Sequence, residues 1–277
     1  MSTLPLEPQQ TATRKRVTAP SVKAMKGVEQ IAMLTAYDYP TAFFLDECGV
    51  DVLLVGDSLA MVVYGEPNTL SITMDDMLRH TRAVSKAATR ALVVGDMPFM
   101  SYQVSIEEAV RNAGRFLKEA GAHAVKLEGG TEMADTIRAI TRAGIPVMAH
   151  IGLTPQSIQA LGNYRMHGKS EVEQEYLLQS AAAVAEAGAF SVVLECVVPT
   201  LATRITKVIA IPTIGIGSGS GAATCDGQVL VTQDLLGLTA GRTPSFVQAE
   251  ARLRDELQAA VARYVVRTKT AGIQGNA

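Results

Sequence analysis

Apolar residues along this chain gather into short runs that stop at a glycine or a charged side chain. The runs are Ile31 to Ala36, Val52 to Val55, Ala91 to Val94, Ala122 to Leu127, Ile145 to Ala149, Phe190 to Leu194, Pro212 to Ile216 and Gln228 to Val231. Most are apolar at consecutive positions, the pattern of strands buried on both faces in a parallel sheet. The stretches between them carry helix punctuation. Thr41 to Cys48 ends at Gly49, and Thr73 with Asp76 three residues on predicts a capped helix to about Thr89. Ser105 caps a helix through Glu119, with Glu107 and Glu108 in the first turn, where the helix dipole favours them. Further helices are predicted over Thr131 to Ala143, Val172 to Ala187, Pro199 to Ile209 and within Pro244 to Arg267. Leu59 to Thr73, with Gly65 and Pro67, and residues 161–170 read as loops.

Strand-like runs alternating with helices argue for parallel βαβ units. Eight in one chain of 277 residues predict a single (β/α)8 TIM barrel over residues 24–267. Residues 1–23 are expected to be a disordered arm and 268–277 a frayed tail. A doubly wound sheet would place its glycine fingerprint in the first βα turn, which here reads Ala36-Tyr37-Asp38-Tyr39.

Composition changes the picture little. Apolar residues make up 48% and aromatics 5%, so Val, Ala, Leu and Ile build the core. A net charge of −2 gives no reason to expect nucleic acid or an anionic membrane as partner. Cys48, Cys196 and Cys225, odd in number and irregular in spacing, fit a reducing compartment, and a cytoplasmic location is expected. Residues 1–23, with Arg14, Lys15 and Arg16 together, lack the apolar segment of a secretory signal.

The candidate chemistry sits where the runs end. Asp57 and Ser58 follow the second run, Asp96 the third, Lys126 and Glu128 the fourth, His150 the fifth and Glu195 the sixth. In a closed barrel these ends ring one mouth. Lys126 and Glu128 are two apart and share one side of their strand. Asp57, Asp96 and Glu128 come from adjacent strands and offer the oxygen donors that suit Mg2+. The bland alternative, each carboxylate capping a loop or pairing with Lys126 or an Arg, weakens because polar residues recur at the same place on successive strands. His150 could ligate a metal, move a proton or satisfy a carbonyl; Glu195 could be a base. A Schiff base at Lys126 is disfavoured, because nearby carboxylates keep an amine protonated. The GIGSGSG stretch from Gly215 to Gly221 is either a phosphate loop or a tight turn.

Several motifs, in order along the chain, resemble the ketopantoate hydroxymethyltransferase family: MLTAYD (33–38), LLVGDSLAMVVYG (53–65), GDMPFMSY (95–102), VKLEGG (125–130), HIGLTPQS (150–157), LECV (194–197), IPTIGIGSG (211–219) and CDGQVLV (225–231). The resemblance implies a barrel that transfers a one-carbon unit from 5,10-methylenetetrahydrofolate to 3-methyl-2-oxobutanoate, giving 2-dehydropantoate for coenzyme A biosynthesis through a Mg2+-stabilised enolate. It implies Asp57 and Asp96 as metal ligands, with Glu128 completing the Mg2+ site directly or through water. It further implies Ser58 and Lys126 as contacts to the substrate carboxylate, Asp57 and Asp96 as substrate-binding residues as well, and Glu195 as proton acceptor. His150 is expected behind the metal site, supporting it without touching the ion. A homodecamer is the implied assembly. The chain departs from the family pattern at Gly162-Asn163, Ser218 to Thr224 and Pro244 to Phe246. The alternative function is another Mg2+-dependent, enolate-forming carbon–carbon lyase of a related barrel family. That reading would want a catalytic Cys in a flexible loop, and none of the three Cys has this setting.

Overall fold

The computed structural model of the chain describes residues 15–219 and 224–271. Eight parallel strands close into a barrel in sequence order, with the last paired to the first. They are β1 (Ile31–Thr35), β2 (Val52–Val55), β3 (Leu92–Asp96), β4 (Ala124–Glu128), β5 (Val147–Gly152), β6 (Ser191–Glu195), β7 (Thr213–Ile216) and β8 (Gly227–Leu230). The helices are α1 (Ala19–Ala24), α2 (Tyr39–Glu47), α3 (Leu59–Val62), α4 (Met74–Ala87), α5 (Ile106–Ala120), α6 (Ala134–Arg142), α7 (Ile158–Leu161), α8 (Glu171–Glu186), α9 (Pro199–Val208), α10 (Thr232–Leu235) and α11 (Leu253–Ala271). The Thr73–Asp76 capping box opens α4, and Ser105 caps α5 through the amide of Glu108, as their spacing predicts.

Two apolar clusters follow from the period of two along each strand. One set of positions, including Met33, Val52, Leu54, Leu92, Val94, Ala124, Met148 and Val193, fills the barrel. The alternate set, including Leu53, Val93, Val125, Leu127, Ala149 and Leu194, packs outward against the helices. Both faces are therefore buried, which is why the runs read as continuous rather than alternating.

Three expectations need correction. The arm does not reach residue 23: residues 1–14 lie outside the described residues, but Val17 donates its amide to Arg90 O at 2.8 Å. Helix α1 then forms on a capping box between Thr18 and Ser21. The reason is apolar: Val17, Ala19 and Val22 join the interior cluster and plug the barrel at the amino ends of the strands. The segment after Ser58 is not all loop, since Leu59 and Ala60 bury themselves in the short helix α3. At the carboxyl end α11 continues through Thr268 to Ala271, because no breaker precedes Gly272; residues 272–277 lie outside the described residues.

His123 ties the N-terminal segment to the sheet. Its Nδ1 accepts the Val93 amide at 2.9 Å and its Nε2 faces the Arg16 guanidinium. Burial, with Arg16 adding to it, lowers its pKa from 6.5 to about 4. Between those values the unfolded chain holds a proton that the folded chain lacks, so stability falls as pH drops through that window. Half-buried as it is, solvent screening leaves a loss of about 1 kcal/mol between pH 7 and pH 5. Urea unfolding at the two pH values is expected to show this loss shrinking in His123→Gln; an equal loss in both proteins would refute it.

Candidate active site

The alternation that fills the barrel also aims the polar residues. Counting by two from Val94 reaches Asp96; from Ala124, Lys126 and Glu128; from Met148, His150; from Val193, Glu195. All five project into the barrel at the carboxyl ends of β3 to β6. Strand register sets the neighbours: Asp96 lies opposite Lys126, Glu128 opposite His150 and Gly152 opposite Glu195. Asp57 and Ser58 follow β2 on the same rim.

Lys126 Nζ stands 2.8 Å from both oxygens of Asp96 and 4.0 Å from Glu128 Oε1. Asp96 Oδ2 also accepts the Asp57 amide at 3.2 Å. The whole group is buried, with Asp96 at 1% exposure. Burial pushes the carboxyls of Asp96 and Glu128 up, and the Lys126 ammonium opposes the shift in each. Burial alone would lower the Lys126 pKa, but Asp96, Glu128 and Asp57 overcome it and hold the ammonium protonated. A neutral amine, the species a Schiff base needs, is disfavoured here.

His150 lies between two carboxylates. Its Nδ1 is 3.7 Å from Glu128 Oε1 and its Nε2 is 3.3 Å from Glu195 Oε2. Neither ring nitrogen has an aligned hydrogen-bond partner among the described residues. Burial first, and then the Lys126 charge, lower its pKa, which keeps the ring neutral near pH 7. Glu195 is more open, with its side chain 19% exposed.

The main chain around Glu195 is tightly specified. The Leu153 amide donates to Glu195 O at 2.8 Å, and Cys196 follows in the left-handed region at φ 50°. Gly152 has φ 100°, and a Cβ there would stand 2.3 Å from Glu195 O. Gly152→Ala is expected to cost roughly 2–4 kcal/mol from strain and crowding together, read as a lower denaturant midpoint; an unchanged midpoint would show that β5 and β6 need no such approach. The Cys196 thiol is pushed up to about 11 by burial and by Glu195, the opposite of an activated nucleophile. Ser218, in the glycine-rich stretch, donates to Leu194 O and accepts the Val197 amide, so its hydroxyl is spent on main chain. Residues 220–223 lie outside the described residues.

Three buried side chains of this site give no signal of their own in the sequence. Tyr37 hydrogen-bonds Ser58 Oγ at 2.8 Å, and burial raises its pKa to about 12 despite that bond. Tyr102 OH accepts the Glu128 amide and donates to Gln156 Oε1. Gln156 donates from Nε2 to Asp57 Oδ2 at 2.9 Å. All three stand in loops or at strand ends, where no periodicity marks a lone polar residue.

No three His, Cys, Asp or Glu side chains among the described residues converge enough to hold a metal alone. A magnesium ion does not require that, since it keeps several waters and takes one or two carboxylates. The donors are hard oxygens, and the buried Asp57, Asp96 and Glu128 outnumber the single ammonium of Lys126. Buried carboxylates in such excess repel unless a cation joins them. This donor set fits a hard divalent cation.

Comparison with known proteins agrees with the geometry. The family model of ketopantoate hydroxymethyltransferase matches residues 16–272. A 3-methyl-2-oxobutanoate hydroxymethyltransferase of Syntrophus aciditrophicus is 56% identical over 256 residues, covering 92% of this chain and 93% of that protein. One from Carboxydothermus hydrogenoformans is 55% identical over 255 residues, covering 92% and 91%. Among solved structures, a phosphonopyruvate hydrolase superposes with a TM-score of 0.63 at 13% identity, over 92% of this chain and 88% of that one, which speaks for the fold alone. With a family model spanning nearly its whole length and relatives more than half identical, the chain belongs to the ketopantoate hydroxymethyltransferase family.

Proposed function

We propose that the ring of polar groups at the barrel mouth carries out the 3-methyl-2-oxobutanoate hydroxymethyltransferase reaction of pantothenate biosynthesis, with Glu195 as the proton acceptor. The observation that carries this reading is the convergence of Asp96, Lys126, Glu128, His150 and Glu195 on the barrel interior at one end.

Substrate chemistry assigns the parts. A 2-oxo acid has an acidic C3–H and a carboxylate to anchor. Lys126 spends two of its three N–H on Asp96 and keeps one for that carboxylate. Ser58, its hydroxyl steadied by Tyr37, is a second contact. Asp57 and Asp96, with Glu128 directly or through water, would hold a divalent cation, for which Mg2+ is the family's choice. When bound, that ion supplies Lewis-acid polarisation of the 2-oxo acid. Glu195 takes the proton from C3. Neutral His150, 3.3 Å away, lies against that carboxylate without adding a charge. The C3 carbanion then bonds to the methylene carbon of 5,10-methylenetetrahydrofolate as one C–N bond breaks; water replaces the second C–N bond, leaving its hydroxyl on that carbon, and the two freed nitrogens of tetrahydrofolate take the proton from C3 and one from water. The apolar barrel interior next to the ring, with Val94, Ala124 and Met148 fully buried two positions before Asp96, Lys126 and His150, keeps bulk water from that side.

The reading includes a homo-oligomer, a homodecamer by resemblance. Its support is α11, which is exposed from Arg254 to Thr270 and carries Leu257, Val261, Tyr264 and Val265 into solvent. Sedimentation returning the 29.3 kDa monomer would overturn it. The reading also places the protein in the cytoplasm: the three cysteines are free, and among the described residues no helix is long and apolar enough to cross a membrane. Recovery in a membrane fraction would count against that.

The test is proton exchange at C3 of 3-methyl-2-oxobutanoate in D2O, followed by NMR without folate and with or without Mg2+. Metal-dependent exchange is the expected result. Absence of exchange in both this assay and a product assay with methylenetetrahydrofolate would reject the reading.

A further inference from the structure

Gln156 is the most heavily hydrogen-bonded side chain near the barrel mouth, and neither the transfer chemistry nor the motif containing it explains why. It follows β5, in the turn Pro155–Ser157, at 3% exposure. Its Nε2 donates to Asp57 Oδ2 at 2.9 Å and to Met97 O at 3.0 Å. Its Oε1 accepts from Tyr102 OH at 2.7 Å and from Gln103 Nε2 at 3.2 Å. Its main-chain amide donates to Glu128 Oε2 at 3.0 Å. Both amide protons and both carbonyl lone pairs are used, the full capacity of the side chain.

The arrangement admits one orientation. Turning the amide over would set its oxygen against two acceptors, Asp57 Oδ2 and Met97 O, and turn its NH2 toward two donors. Tyr102 locks it further: its oxygen takes the Glu128 amide, which directs its own proton to Gln156. Gln156 therefore reaches from β5 to a carboxylate after β2, to the main chain after β3 and to a carboxylate on β4. Burying an amide in an apolar barrel is costly unless every bond is made, and a core position would be filled more simply by Leu or Met. Of the bonds that offset that cost one holds Asp57, and the main-chain amide of the same residue holds Glu128. By occupying Asp57 Oδ2, Gln156 leaves Oδ1 without a protein donor among the described residues.

We propose that Gln156 is a positioning residue: its side-chain amide clamps Asp57 directly and, by anchoring the turn, sets the main-chain amide that holds Glu128, so that both serve a divalent cation, and Tyr102 acts through it. The inference rests on the metal reading above. Residues that orient metal ligands typically govern affinity by 10- to 100-fold.

The experiment is Mn2+ binding to the full-length protein, measured by electron paramagnetic resonance on wild type, Gln156→Met, Tyr102→Phe and the double variant. Far-UV circular dichroism and thermal midpoints report folding in parallel. Gln156→Met is expected to bind Mn2+ at least about 10-fold more weakly, Tyr102→Phe a smaller factor more weakly, and the double variant no worse than Gln156→Met alone. In the D2O exchange assay, raising the metal concentration should restore most of the rate to Gln156→Met, a rescue that a merely structural defect would not allow. Wild-type affinity in folded Gln156→Met overturns this inference and leaves the metal reading intact. No Mn2+ binding by wild type, with or without the 2-oxo acid, overturns both. Should Gln156→Met fail to fold, Tyr102→Phe decides: unchanged affinity there refutes the clamp.

Discussion

Glu195→Gln is expected to lower C3 proton exchange, and hydroxymethyl transfer with it, by about 10²- to 10⁴-fold, the range a positioned general base contributes. The substitution keeps the shape and the main chain of β6 but removes the basic oxygen. The interior carboxylates Asp57, Asp96 and Glu128 remain as they were, so Mn2+ affinity should stay within about twofold of wild type. His150 Nε2, 3.3 Å from the replaced group, would then face an amide. Burial, with the Lys126 charge, lowers the basicity of the His150 ring, which makes it a poor substitute for the missing proton acceptor. Exchange within a fewfold of wild type would remove Glu195 from the role and leave the carboxylates nearer Lys126 to be tested in turn. Loss of exchange together with loss of metal would instead mean that the variant had disturbed the whole mouth.

Lys126→Met is expected to produce the largest loss of stability at the site. It leaves Asp96, 1% exposed, without the ammonium that contacts both its oxygens. Removing one member of a buried pair costs about 3–5 kcal/mol, because the remaining charge is neither solvated nor matched. Met fills most of the vacated volume, so the loss reports charge rather than a cavity. Urea unfolding of metal-free protein would measure it. Divalent metal should return part of the lost stability, since a cation among Asp57, Asp96 and Glu128 replaces the missing charge and binds only the folded chain. A variant as stable as wild type without metal would mean that Asp96 takes up a proton instead, the direction in which burial already drives it. On the proposed role of Lys126, activity is expected to be lost in either case, because metal cannot replace an N–H to the substrate carboxylate.

Much of this molecule was legible from local chemistry. Runs such as Val52 to Val55 are apolar at every position because parallel strands are covered on both faces, and their spacing announces the barrel. Lys126 and Glu128 are two residues apart, and the strand period alone puts them on one side. The abrupt stops at Asp57, Asp96, His150 and Glu195 marked the ends where a barrel gathers its polar groups. Capping at Thr73 and Ser105 was equally local, being settled within one turn of helix.

Other features depend on segments far apart in the chain. The pairing of Asp96 with Lys126, 30 residues on, comes from the register between β3 and β4, which no local pattern encodes. The orientation of Glu195 depends on Gly152 approaching its carbonyl from β5. Val17, Ala19 and Val22 look like part of a polar arm until the open end of the barrel supplies apolar surface for them. Gln156 and Tyr102 are ordinary loop residues in sequence; only the closure of the sheet brings β2, β4 and β5 close enough for one residue to hold two carboxylates, Asp57 by its side-chain amide and Glu128 by its main-chain amide. The sequence by itself determined the strands, their buried faces and the residue types at their ends, because those follow from periodicity and capping within a few residues. The tertiary structure alone decided which charge neutralises which and how each carboxylate is turned, because hydrogen bonds and ion pairs depend on distances that only a closed barrel sets.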